Sequence, residues 1–228
     1  MLISKYDLIP TIFLWSVRDT GTGKSENCYI AFMRIIWSIL LIALMLATDL
    51  QGQTPDKKEK IIIKTEFGNI HATIDLKRAP VTASNFLRYI DAGLFDSTCF
   101  YRVVRLDNQP DNKVLIEVIQ GGRYEEEEGG FAPIAHETTA VTGIHHRKGT
   151  ISMARAEPGS ATSEFFICVS DQPELDYGGE RNPDLQGFAA FGKVTRGMEV
   201  VKKIHSINAP GQYLDKPVVI LDIIRVKP

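Results

Sequence analysis

Gly149-Thr150-Ile151-Ser152-Met153-Ala154-Arg155-Ala156-Glu157-Pro158-Gly159-Ser160-Ala161-Thr162-Ser163-Glu164-Phe165-Phe166-Ile167-Cys168 is the stretch on which the reading of this chain turns. Two short runs of strand formers, residues 150–154 and 165–169, flank a loop of small and polar residues, among them Ala156, Gly159, Ser160, Ala161 and Ser163. Such a loop lets another chain come close to its backbone, as a peptide-sized ligand requires. Successive strand side chains point to opposite faces, so Phe166 lies on the other face from Phe165 and Ile167. One ring is expected in the core while its neighbour floors a surface groove.

Outward from this stretch the chain reads as short strands with two helices. On the N-terminal side a hairpin is expected, residues 61–65 and 70–76 around Glu66-Phe67-Gly68-Asn69. In its second strand Ile70, Ala72, Ile74 and Leu76 alternate with His71, Thr73 and Asp75, which marks one buried and one wet face. A helix is predicted over 81–92, with Pro80 in its first turn, Thr82 or Ser84 as caps, Gly93 beyond its end, and Val81, Phe86, Leu87 and Ile90 facing the core. A strand over 99–105 follows, carrying Arg102 among strand formers and Arg105 as a solvated charge at its end. A turn-rich loop spans 106–113, and a strand over 114–120 ends at Gly121-Gly122. Beyond the opening stretch lie a long loop over 173–187, a strand over 188–194, an amphipathic helix over 197–205 and a final strand over 217–226. About eight strands and two helices predict a mostly β fold, a closed eight-stranded antiparallel barrel capped by two α-helices.

The 228 residues, 44% hydrophobic, suffice for one ordinary domain and a leader. A formal net charge of −2, from 26 basic and 28 acidic residues without a basic run, argues against nucleic acid as a partner. Residues 35–47 are apolar apart from Ser38, follow Met33-Arg34 and precede a polar segment, which matches a secretory signal and is too short to span a bilayer comfortably. The expected organisation is a leader over 1–52 with the signal at 33–52, residues 1–32 coming from an unused upstream start, a polar tether at 53–60 and one domain over 61–228. The protein is therefore expected to be exported, periplasmic or secreted, or membrane-anchored if the signal stays attached. Loss of the leader removes Cys28 and leaves Cys99 and Cys168, which could pair in an oxidising compartment or stay free.

Several tempting motifs fail. Gly21-Thr22-Gly23-Lys24-Ser25 lacks the leading glycine of a phosphate loop, since Arg18 stands there. His136-Glu137 has Ala140 where a zinc protease needs its second histidine, His145-His146 reads as a surface pair, and Glu125 to Glu128 read as a solvated loop. No metal and no cofactor are expected, and no activated nucleophile is in view.

What remains is an ordered set: Phe100-Tyr101-Arg102-Val103, Ile119-Gln120-Gly121-Gly122, Ser152-Met153-Ala154-Arg155, Ser163-Glu164-Phe165-Phe166-Ile167-Cys168 and Phe191-Gly192-Lys193-Val194. Together and in this order the five fragments resemble the cyclophilin family of peptidyl-prolyl cis-trans isomerases, over residues 61–228. The resemblance implies a surface groove for X-Pro peptides and unfolded proteins, on a monomer. It implies Arg102 as the catalytic arginine, Gln120 as the glutamine beside the substrate and Phe166 as the floor of the proline pocket. Val118 and Leu175 match apolar pocket positions, Ala154 and Arg155 the strand edge that pairs with the substrate backbone, and Glu164 and Phe188 substrate-binding positions held elsewhere by glutamine and histidine. Tyr101 stands for a common histidine, a change expected to matter little, and Glu117 falls where an aromatic pocket wall is usual. Glu174 replaces the tryptophan of cyclosporin-sensitive members, which implies weak binding of that drug, and 106–113 resembles an insertion. A non-catalytic peptide-binding module on the same fold is the competing reading.

Overall fold

In a computed structural model the chain divides into two units, residues 1–54 and 55–228, and the structure describes residues 58–123 and 129–226, with Ile36 alone before them. The upstream segment 1–32, the leader over 33–52 apart from Ile36, residues 53–57 and the run Glu125 to Glu128 lie outside the described residues.

The elements of the second unit are β1 (Lys58–Thr65), β2 (Gly68–Asp75), α1 (Pro80–Asp91), β3 (Cys99–Val104), β4 (Val118–Gly122), the single turn α2 (Thr139–Thr142), β5 (Thr150–Met153), β6 (Phe165–Cys168), a 3-10 turn (Pro173–Leu175), β7 (Ala189–Arg196), α3 (Met198–His205) and β8 (Tyr213–Arg225). The strands close into one barrel in the order β1-β2-β7-β5-β6-β4-β3-β8, with β8 pairing back onto β1 and every pair antiparallel. The expected eight-stranded barrel is thus present, and closure leaves no edge strand.

Alternation fills the interior as read. Ile70, Ala72 and Ile74 of β2 are buried while His71 and Thr73 face outward. Phe86 of α1 lies within 4.9 Å of the Phe95 and Phe191 rings and meets Phe165 edge-on at 5.2 Å. Val81, expected in the core, is exposed, because the first turn of α1 faces Glu137 instead. No Thr82 or Ser84 side chain caps this helix. The Glu137 carboxylate accepts from the N–H groups of Val81 at 3.1 Å and Thr82 at 2.7 Å, placing a negative charge where the helix dipole favours it.

Strand ends move more than strand identities. β1 starts at Lys58, inside the expected tether, because Lys58 to Lys60 pair with Thr73 to Asp75. β4 starts at Val118 rather than 114, β7 runs on to Arg196, and β8 starts at Tyr213. The loop over 106–113 is anchored to its neighbours. Asn108 and Gln109 are buried, the Asn108 amide donating to Val103 O and Ala209 O and the Gln109 amide to Arg105 O and Ile116 O. Arg105, expected in water, has a side chain only 20% exposed that pairs with Asp107 and donates to Ile207 O. Cys99 is half-buried and Cys168 buried, and both are free thiols.

One irregularity positions the site. In the β3–β4 ladder Phe100 stands opposite Gly121 and Arg102 opposite Gln120, so Tyr101 is the extra residue of a β-bulge. The bulge shifts the phase of the strand: Phe100 and Val103, three residues apart, both enter the interior cluster, and Arg102 turns outward. Gly121 permits the tight pairing there, since a Cβ on it would sit 2.6 Å from Cys99 O.

Candidate active site

A single row of register runs around the outside of the barrel: Arg102 opposite Gln120, Gln120 opposite Phe166, Phe166 opposite Ser152. Opposed residues of antiparallel strands share a face. The row therefore brings Arg102, Gln120 and Phe166 onto one cavity of about 660 Å³, which Val118, Ala154, Arg155, Glu164, Leu175 and Phe188 also line.

The apolar half is a second cluster, separate from the barrel interior, made of Val104, Ile116, Val118, Phe166, Cys168 and Leu175, with Ala154 and Phe188 packed against it. Phe165 and Ile167 belong to the interior cluster, so β6 divides its rings between core and groove as alternation requires. Phe188 meets Phe166 edge-on at 5.3 Å and carries the Arg155 guanidinium 5.1 Å from its centroid. The wall that Glu117 left open is supplied by Ile116, while Glu117 accepts a hydrogen bond from Ser170.

The polar half is a chain of directed hydrogen bonds. Arg102 Nη1 donates to Gln120 Oε1 at 2.9 Å, and Arg102 Nε and Nη2 both donate to Gln212 Oε1. Gln120 Nε2 donates to the Tyr101 hydroxyl at 2.6 Å and to Glu164 Oε2 at 3.1 Å, and the Tyr101 hydroxyl donates to Glu164 Oε1 at 2.8 Å. A guanidinium only donates and a carboxylate only accepts, so the Gln120 amide has one orientation that satisfies both neighbours. Burial and, after it, the adjacent Glu164 carboxylate push the Tyr101 phenol up, so it keeps its proton. Tyr101 thus bridges Gln120 and Glu164 beside the cavity.

Behind Phe166 lies a buried histidine. His146, expected at the surface, is 1% exposed. Its ring stacks on Phe166 with centroids 5.9 Å apart, Nδ1 lies 2.7 Å from Asp176 Oδ1 and Nε2 lies 2.9 Å from Ser152 Oγ. The pair sits in a loop, where adjacent side chains need not point apart, and His145 reaches the same carboxylate from outside at 2.8 Å. Burial holds the His146 pKa below its ordinary value.

Arg155 serves the framework. Its guanidinium donates twice to Asp184 and once to Gly187 O, which holds the loop leading into Phe188, and that pairing lowers the Asp184 pKa to about 2. β5 stops at Met153, the Ala154 N–H bonds Glu164 O at 2.9 Å, and the Arg155 main chain has no hydrogen-bond partner among the described residues. Gln212, Ile116, Arg181 and Asn182 line or support the groove without any local sequence signal. Among the described residues no three His, Cys, Asp or Glu side chains converge as a metal site.

A family model described as cyclophilin type peptidyl-prolyl cis-trans isomerase/CLD matches residues 60–226. Peptidyl-prolyl cis-trans isomerase A of Dickeya dadantii is 37% identical over 169 residues, covering 70% of this chain and 80% of that protein. Peptidyl-prolyl cis-trans isomerase B of Escherichia coli is 34% identical over 165 residues, covering 69% of this chain and 92% of that protein. A crystal structure of a Cryptosporidium parvum cyclophilin type peptidyl-prolyl cis-trans isomerase, in the presence of the dipeptide Ala-Pro, superposes with a TM-score of 0.60 at 22% identity, over 74% of this chain and 99% of that one.

Proposed function

The chain belongs to the cyclophilin-type peptidyl-prolyl cis-trans isomerases, and from that premise we propose that Arg102, Gln120 and Phe166 rotate X-Pro bonds in exported proteins and so assist their folding. The observation that carries this reading is that the three stand opposite one another on β3, β4 and β6 and open on one cavity. A solved relative was crystallised in the presence of Ala-Pro, and a proline-containing peptide is the ligand proposed for this groove.

The reaction breaks no bond and needs no nucleophile. Resonance makes the C–N bond partly double, with a rotation barrier of roughly 18–20 kcal/mol. As the bond twists, the prolyl nitrogen becomes pyramidal and gains a lone pair that a guanidinium can meet. Three of the five N–H donors of Arg102 are taken up by Gln120 and Gln212, which leaves two for the substrate. A bond from one of them to that lone pair is available in the twisted state and in neither planar state, which is the condition for catalysis. A rate gain of about 10⁵ corresponds to roughly 7 kcal/mol of such differential stabilisation. Phe166, Val118, Ile116, Leu175 and Phe188 would hold the pyrrolidine ring out of water, and the Arg155 main chain, which has no hydrogen-bond partner among the described residues, is the group proposed to bond the peptide backbone.

The test follows cis–trans relaxation of a short X-Pro peptide. Arg102→Ala is expected to lose about 100-fold or more in kcat/KM while its circular dichroism stays that of wild type. A variant as fast as wild type would end the reading. Export rests on Met33-Arg34 and the apolar run after it; the mature protein isolated from its native cells should begin beyond residue 47, and one beginning within 1–32 would refute both the leader and the upstream start. Glu174 in place of tryptophan makes cyclosporin a weak inhibitor, which the same peptide assay reads directly.

A further inference from the structure

Arg181 is a groove arginine that no carboxylate meets among the described residues. It stands between the 3-10 turn and β7, is half-buried and lines the same cavity as Arg102. Its Nη1 donates to Val114 O at 2.6 Å and Gln109 Oε1 at 3.0 Å, both neutral oxygens of the loop that anchors Ile116. Its Nε and Nη2 have no partner among the described residues. The partially buried side chains of Arg105 and Arg155 are answered by Asp107 and Asp184, and Arg88 and Arg196, which bond neutral partners, are exposed to water. Arg102 and Arg181 are half-buried and bond neutral oxygens, and each lowers the cost of an anion arriving between them. Burial and the Arg102 charge both press the Arg181 pKa down, as two cations facing one cavity should.

From this we infer that the free Nε–Nη2 edge of Arg181 is a subsite for a carboxylate, so that the groove selects X-Pro segments with an aspartate or glutamate flanking the proline. A guanidinium edge offers two parallel donors that match a carboxylate in bidentate fashion. Glu164 is the counterweight: it is the one acidic side chain lining the cavity among the described residues, and it is held by Tyr101 and Gln120 on the far side of Gln120 from Arg102. An acidic residue therefore gains on the Arg181 side of the groove.

This inference rests on the isomerase reading, and one assay separates the two. Peptides carrying Glu, Gln or Lys immediately before or immediately after a single proline are compared by kcat/KM. Wild type is expected to favour Glu over Lys by about tenfold or more in one of the two placements. That preference should shrink severalfold in about 0.5 M salt, which screens it, and vanish in Arg181→Gln while Arg181→Lys keeps part of it. If wild type turns over the Gln peptides but treats Glu and Lys alike in both placements, the subsite is wrong and the isomerase reading stands. If it turns over none of the peptides, the isomerase reading itself fails. Preservation of the Glu preference in a folded Arg181→Gln also overturns the subsite; should that variant misfold, the salt response of wild type decides alone, an insensitive preference counting against it.

Discussion

The two faces of β6 make two different regions of the same strand. Phe165 and Ile167 join an interior cluster gathered from almost every element, from Ile61 to Ile223. Phe166 and Cys168 join a cluster with only Val104, Ile116, Val118 and Leu175 as its other buried members. The interior is closed on all sides and its aromatic rings contact one another at 4.9–5.8 Å. The outer cluster is walled by polar groups and open to a cavity. The difference teaches that alternation alone builds both, and that the outer one becomes a site through the hydrogen-bonded groups around it.

The largest effect expected is on the interior. Phe86→Ala removes a ring that touches Phe95, Phe165 and Phe191 and should cost about 3–5 kcal/mol of stability by chemical denaturation; a cost near zero would mean the core rearranges freely. Phe166→Ala, from a cluster with an open side, should cost about half as much stability but lower kcat/KM on an X-Pro peptide by roughly 100-fold. Equal stability costs at Phe86 and Phe166 would erase the distinction between the regions. Glu137→Ala touches neither cluster and removes the carboxylate over the first turn of α1; about 1 kcal/mol is expected, read from the melting curve.

The last prediction sharpens the comparison by acidity, and its effect is nil near neutral pH. Burial depresses the pKa of His146 in the folded chain, so below about pH 6.5 the unfolded chain binds the extra proton first. Stability is therefore fully present above that value and is lost as pH falls toward the folded pKa. Asp176, also depressed, adds its loss only below its ordinary value of 3.8. Thermal melts from pH 7.5 to 5 should fall for wild type and fall less steeply for His146→Gln. Equal slopes would show that His146 takes up its proton without cost behind Phe166.

The barrel was legible because its signals are local. The alternation of Ile70, Ala72 and Ile74, Pro80 at the start of α1 and the split between Phe165 and Phe166 each lie within a few residues of chain. Arg102, Gln120 and Phe166 were legible as fragments of a family, and alternation alone would have misplaced Arg102, since the bulge at Tyr101 has no mark in the sequence. Gln212 reaches Arg102 across 110 positions, and Arg181 reaches Val114 across 67. Such pairings are products of barrel closure and leave no spacing to read. His145-His146 reads as a surface pair for a related reason: Asp176, which draws the His146 ring inward, stands 30 residues away.

The bulge at Tyr101 has a consequence for how this groove tolerates change in chain length. Deleting that one residue leaves Phe100, Arg102 and Val103 in strict two-residue phase with Arg102 still on the outer wall, but removes the hydroxyl that bonds Gln120 and Glu164. Flattening the bulge with Tyr101 kept would instead turn Arg102 into a lining of Phe100, Ile119 and Val218, where a guanidinium finds no water and no counter-charge, so closure of the whole cylinder holds the bulge in place. The phase of β3 is thus set by Phe100 and Val103, and the chemistry outside is kept in step by the hydrocarbon inside.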